Sequence, residues 1–192
     1  SEMCIRDRLL ELLCAGARPL IFVDTLCQDS ASAQPMIDEF RRCAVAAGIS
    51  PDAVTGSTED NVVTTQTGIG VTIIGVIPDG DLPKALDGDI VVCVGAPISA
   101  PDDDVTPDRP EIVTLDEVRA LMASGKVHDC VPVGSHGVAW EAEQLSSTAG
   151  LRIESQHTDV NLTRSGGPST CLVLACASGN VEELCGLVAP ER

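Results

Sequence analysis

Three segments collect residue types that bind phosphate, hold a cation or move a proton. The first is Thr55-Gly-Ser-Thr-Glu-Asp-Asn61. Small residues let a backbone approach a ligand closely. Hydroxyls and carboxylates there offer oxygen to phosphate groups and to a hard cation such as Mg²⁺. Gly56, Ser57 and Thr58 are the candidate phosphate ligands, and Glu59 and Asp60 the candidate metal ligands. The same composition also makes an ordinary Asx-type turn. The second segment is His128-Asp-Cys-Val-Pro-Val-Gly-Ser-His-Gly137, which runs into a helical pattern. A helix start presents unpaired N–H groups to an anion, so Gly134, Ser135 and Gly137 are candidates for holding a substrate or phosphate. His136 is the candidate general base, because an unperturbed imidazole pKa of about 6.5 suits that task. Its alternative is a plain hydrogen-bonding role. Ser135 and His136 are neighbours in sequence, so their side chains diverge and do not form a nucleophile–base pair. The third segment is Thr163-Arg-Ser-Gly-Gly-Pro-Ser169, where Arg164 either meets a phosphate or stays solvated.

Several familiar chemistries are excluded. Asp102, Asp103, Asp104 and Asp108 lack the glycine and terminal glutamate of a calcium loop. There is no Gly-Lys-Ser/Thr phosphate loop, and Gly68-Ile-Gly70 lacks the third glycine of a dinucleotide fingerprint. The Gly-x-Ser-x-Gly elbow is not met either. Any ATP site is therefore of another kind. Of nine cysteines, Cys14, Cys27, Cys43, Cys93, Cys171 and Cys176 sit in apolar runs, where a free thiol behaves as a small hydrophobe. No Cys-x-x-Cys occurs, and three histidines complete no zinc spacing. Reduced, buried thiols of a cytoplasmic protein are expected. A net charge of −17 with only Lys84 and Lys126 as lysines argues against nucleic acid. No apolar run approaches the roughly 20 residues of a membrane span.

The elements that must position these segments follow from periodicity. The chain of 192 residues is 44% hydrophobic but only 2% aromatic, so Val, Ile, Leu and Ala must build the core. Pro19 to Thr25 reads as a buried strand. Pro35 opens a helix whose apolar face repeats Met36, Ile37, Phe40, Cys43, Ala44 and Ala47. Residues 68–77 and 90–94 read as strands, with a turn-rich connection between them that is the expected domain boundary. Thr114-Leu-Asp-Glu117 is a capping box that starts a helix. Ser135 is the expected cap of a further helix ending at Gly150. Residues 170–177 form a strand, and Asn180 caps a last short helix. The fold class is α/β (α+β) with two layers.

Read in order, the segments resemble the aminoimidazole-ribotide (AIR) synthase, or PurM-like, superfamily. Cys14 to Asp24 resembles its "GA-x-P-L" strand entry, and Ala47 to Thr58 the stretch leading to its "G-G-(E/D)-T" turn. Leu86 to Gly95 resembles the "GD" opening of the second domain, and Val127 to Glu141 the "H-D-x-(T/S)-x-GG-L" turn and helix. The resemblance spans residues 9–188 and is nearest to the small AIR-synthase-related proteins, among them α-ribazole kinases of cobalamin salvage. Ser57 departs from the family's acidic residue, leaving Glu59 or Asp60 as its substitute. The resemblance implies a two-domain architecture: a partial N-terminal domain over residues 9–83 and a C-terminal α/β sandwich domain over residues 84–192. It implies ATP and Mg²⁺ as cofactors, a small-molecule phosphate acceptor, and a homodimer formed through N-terminal strands. Other activities of the superfamily, or a non-catalytic binding or dimerisation module, are the alternatives. Residues 1–8, Ser-Glu-Met-Cys-Ile-Arg-Asp-Arg, resemble a translated sequencing adaptor and are expected to be non-native. On that reading the family's metal-binding Asp residues and glycine-rich loop precede residue 9, and the fragment is expected to be inactive.

Overall fold

The strand Leu-Val-Leu-Ala-Cys is buried at every position, which requires a sheet covered on both faces. The computed structural model describes residues 2–78, 80–106, 108–154 and 158–190. Its elements are α1 (Glu2–Cys14), β1 (Arg18–Leu26), α2 (Ser30–Ala46), β2 (Val54–Thr58), β3 (Ile69–Val76), β4 (Ile90–Val94), α3 (Leu115–Ala123), β5 (Val127–Pro132), α4 (Val138–Thr148), β6 (Leu172–Cys176) and α5 (Val181–Cys185). They form two three-stranded sheets, ordered β2-β1-β3 and β4-β6-β5. Among the described residues no helix is long and apolar enough to cross a membrane.

In the second sheet the period-2 alternation of β6 feeds two cores. Leu172, Leu174 and Cys176 pack with Val118 and Leu121 of α3 and Leu184 of α5. Cys171, Val173 and Ala175 pack with Val138 and Leu145 of α4. The first sheet is covered on one face only. Phe22 and Ile73 lie beneath Phe40 and Ala44 of α2, while their register neighbours Ile21 and Ile74 are exposed on the other face.

α1 serves both halves. Ile5 and Leu9 belong to the core of the first sheet, Leu10 and Cys14 to that of the second. Residues 2–8, from the segment expected to be non-native, form the first turns of this helix. Ile5 is fully buried. The Arg6 guanidinium donates to the Ser169 carbonyl at 2.6 Å through Nη1 and to the Val113 carbonyl through Nη2. Because α1 fills two cores at once, the 83/84 boundary does not separate two independent sets of contacts.

Other expectations need correction. α2 starts five residues before Pro35, because the Asp29 side chain accepts the Ser32 N–H at 3.0 Å and caps it. Pro35 then sits inside the helix, where it forgoes one backbone bond. Residues 54–58 are a strand rather than a turn; parallel pairing with β1 imposes the extended form on a weak strand sequence. β5 is not among the strands expected from the sequence, yet it pairs with β6. Ser135 does not cap α4: Gly137 occupies the cap position, with no side-chain bond. Asn180 likewise precedes α5 without a side-chain cap bond. The capping box at Thr114 is present in both directions. Cys14, Cys43, Cys130, Cys171 and Cys176 are buried free thiols, but Cys27 is exposed.

Candidate functional site

The first candidate segment lies where the end of β2 meets the start of α2. Gly56, Ser57 and Thr58 are β2 residues paired with Asp24, Thr25 and Leu26. A Cβ on Gly56 would fall 2.1 Å from Asp24 Oδ1. Gly56 thus makes room for a buried carboxylate of its own chain, not for a phosphate. Burial pushes the Asp24 carboxyl above its ordinary range. The strand end turns at Glu59 and Asp60. Asp60 accepts from Ser30 N at 2.9 Å and from the Thr58 hydroxyl at 2.7 Å. These bonds, the Ser30 N–H first, hold its carboxyl below the usual range, so it stays ionised. Glu59 Oε1 accepts from Asn61 N at 2.8 Å and Val62 N at 3.0 Å.

Beside this turn is an open cavity of about 410 Å³, lined by Gln28, Asp29, Glu59, Asp60 and residues 61–67. Thr67 closes one side by donating to Gln28 Oε1 at 2.8 Å. The lining is rich in oxygen. Among the described residues no three His, Cys, Asp or Glu side chains converge as a complete metal cage. The Glu59 and Asp60 carboxylates with neighbouring hydroxyls nevertheless fit the donor set of Mg²⁺ bound together with phosphates, since that ion commonly takes only one or two carboxylates from the protein.

The second and third segments meet. Gly166 N donates to Gly134 O at 3.0 Å. A Cβ on Gly166 would sit 2.9 Å from Val133 Cγ1, so only glycine permits this approach. Thr170 Oγ1 lies 2.9 Å from Ala96 O and 3.1 Å from both Ile98 O and Gly166 O, anchoring the second turn. Ser169 donates to Asp7 of α1, and Glu141 Oε1 accepts weakly from Gly134 N at 3.4 Å. Glu11 of α1 lies within range of both Asp7 and Glu141; its carboxyl is raised first by desolvation, against the opposing pull of Arg8, with smaller contributions from these two like charges. Two glycine turns and one face of α1 therefore meet at an acidic junction.

Single residues in these turns differ from expectation. Gly137 adopts φ 85° and ψ 177° at the start of α4. The N–H of Ala139 is taken by Leu162 O at 2.9 Å, so this helix start is not wholly open to an anion. Ser135 and His136 are exposed. The His136 ring lies against Trp140, with centroids 5.0 Å apart and planes tilted by 34°. Arg164 is not waiting for a phosphate: it pairs with Asp103. His128 Nδ1 lies 2.9 Å from both oxygens of Asp89, whose side chain is 7% exposed. Asp7, Glu11 and Asp103 carry no local motif, and Asp89 lies in the "GD" stretch; their partners in the fold mark them. No hydrogen bond or ion pair among the described residues joins the turn at residues 57–61 to the turn at residues 134–137.

No family model and no curated protein sequence matches the chain. Solved structures do. The hydrogenase maturation protein HypE of E. coli superposes with a TM-score of 0.69 at 14% identity, over 99% of this chain and 70% of that one. HypE in complex with ATP gives 0.65 at 16% identity, over 97% and 65%. Thiamine-monophosphate kinase from Stenotrophomonas maltophilia K279a gives 0.61 at 15% identity, over 97% and 72%. Two glycine turns locked together behind an antiparallel sheet, a second mixed sheet and a helix shared between them make up an α+β chain with the PurM-like fold.

Proposed function

We propose that this chain binds Mg²⁺-ATP as part of an ATP-dependent small-molecule phosphotransferase. The observation that carries the reading is the oxygen-lined cavity beside Glu59 and Asp60 within a PurM-like fold. Two of the similar structures point the same way: one holds ATP and one is a kinase. In this reading Glu59 and Asp60 hold the cation, which supplies charge stabilisation to the phosphates, and Ser57 and Thr58 approach the phosphate oxygens. The junction of Gly134, Ser135, His136 and Gly137 receives the acceptor alcohol. His136 is the base or the positioning group there, and α-ribazole is the first acceptor to try. Calorimetric titration with Mg²⁺-ATP tests the cation site. Glu59→Gln keeps the oxygen that accepts from Asn61 and Val62 but loses the charge. It is expected to weaken affinity roughly tenfold, about 1.4 kcal/mol, with an unchanged melting temperature. An unchanged affinity rejects the site.

The exposed face of the first sheet supports the homodimer. Ile21, Ile74 and Val76 are 39%, 49% and 41% exposed, and Ile21 and Ile74 are register partners. Contiguous apolar surface on a sheet face is a usual place for association. Ile74→Glu is expected to convert a dimer to a monomer in analytical ultracentrifugation. A wild-type chain that sediments as a monomer rejects this arrangement.

A further inference from the structure

A second cavity, of about 320 Å³, lies between the second sheet and α4. Its walls include Val91 and Cys93 of β4, Val173 of β6, Val138 and Ala142 of α4, and Leu162. The walls are mostly aliphatic, and Cys93 is the one thiol among them. Cys93 is partly exposed, whereas Cys171 is fully buried. Cys93 is the register partner of Val173. Cys171 precedes Val173 by two residues on the same face of the strand, which makes it the diagonal neighbour of Cys93. The Cys93 thiol donates to the Gly95 carbonyl at 3.6 Å; beside Cys171 it is held below its ordinary range, and Cys171 is raised. A thiol that lines a cavity with a second, buried thiol behind it is the arrangement of an accessible and a resolving cysteine. None of the phosphate or acceptor chemistry proposed above uses either residue.

We propose that Cys93 is a peroxide-reactive thiol site opening into this cavity, with Cys171 as its resolving partner. The Cys93 sulfur attacks one oxygen of hydrogen peroxide. The O–O bond breaks, and the departing hydroxide takes up a proton to leave as water. Cys93 is then a sulfenic acid. The Cys171 sulfur attacks the Cys93 sulfur, the S–O bond breaks, and the hydroxyl leaves as a second water with the Cys171 proton. Two thiols lose two electrons and two protons, and one peroxide becomes two waters. The disulfide would lie against the candidate junction, because Cys171 O accepts from Val133 N at 2.9 Å, next to Gly134.

The molecule contains its own control. Cys14 and Cys130 lie with sulfurs 3.3 Å apart in the core between α1 and β5, and neither lines this cavity. If proximity alone decided oxidation, that pair would react first. If access through the cavity decides, Cys93 and Cys171 lead.

The test uses the full chain with the exposed Cys4, Cys27 and Cys185 changed to Ser, which removes links between molecules. Graded hydrogen peroxide is followed by alkylation, unreduced proteolysis and mass spectrometry. The expected result is a Cys93–Cys171 cross-link that accumulates before any Cys14–Cys130 link. In the same background, Cys171→Ser and Cys171→Ala are each expected to leave a sulfenic acid on Cys93 that dimedone traps. A Cys14–Cys130 link forming first, or a Cys93 that stays alkylatable throughout the titration, would overturn the proposal. Because the cross-link map needs no substitution in the core, a misfolded Cys171 variant does not obscure the outcome.

Discussion

Gly137→Ala is expected to lower the melting temperature by roughly 6–12 °C, the largest effect of any single methyl group added near the candidate junction. Gly137 sits at φ 85° and ψ 177°, a region essentially reserved for glycine, where another residue costs about 1–3 kcal/mol. Space is short as well. A Cβ there would lie 2.8 Å from Leu162 O, 2.8 Å from Thr163 C and 2.9 Å from Arg164 O. All three are backbone atoms, so no flexible side chain can move aside. Strain and clash together amount to about 3 kcal/mol, and for a chain of this size each kcal/mol moves the midpoint by roughly 2–4 °C. Circular dichroism melting measures it. A shift within about 2 °C would mean that the turn at residues 134–137 does not hold this shape against residues 162–164.

Arg6→Ala is expected to cost nearly as much, about 3 kcal/mol, because hydrogen bonds from a charged donor contribute roughly 1.5–3 kcal/mol each. Arg6 is 8% exposed. It ties α1 to Ser169 and Val113, 163 and 107 residues away along the chain. Removing it leaves two carbonyls in a region where Val113 and Ser169 are 0% and 2% exposed. Arg8 is the matched control, since its side chain is 47% exposed and pairs only with its neighbour Asp7. Such surface pairs contribute little, and Arg8→Ala is expected to be nearly silent. If residues 1–8 were a dispensable leader, the two substitutions would behave alike. Chemical denaturation of both variants distinguishes the cases.

The contrast between Arg6 and Arg8 shows where sequence reading stops. Both lie in a segment whose string looks foreign, and nothing local separates them. One meets buried carbonyls more than a hundred residues away, and periodicity carries no information about that partner. The second half of α1, from Leu9 to its end before Gly16, reads as helix in the sequence, but its start at Glu2 does not, for a related reason. The helix buries Ile5 and Leu9 on one side and Leu10 and Cys14 on another, so it lacks the single apolar stripe that marks a helix against one core. β2 was missed because its extended form comes from pairing with β1 rather than from Thr-Gly-Ser-Thr.

The candidate site divides along the same line. Its glycines were legible as glycines, but their reasons were not. Gly56 yields to Asp24, Gly166 to Val133 and Gly137 to the backbone of residues 162–164. Arg164 looked available, and Asp103 takes it. Ser135 looked like a cap, and the α4 start leaves it exposed.

By itself the sequence determined the α+β class, β1, β3, β4 and β6 to within a residue or two, the capping box at Thr114, the acidic surface and the PurM-like resemblance. These depend on patterns within a few residues: alternation along a strand, recurrence around a helix turn, a hydroxyl three residues before a glutamate. Tertiary structure alone decided that the turns at residues 134–137 and 165–170 meet, that α1 closes them from the other side, and that the carboxylates at residues 59–60 cap a strand end above an oxygen-lined cavity. Those facts depend on which distant backbone N–H, carbonyl or side chain fills each remaining place. Only the packed chain makes that choice, because a buried polar group must find its partner wherever the fold has put one.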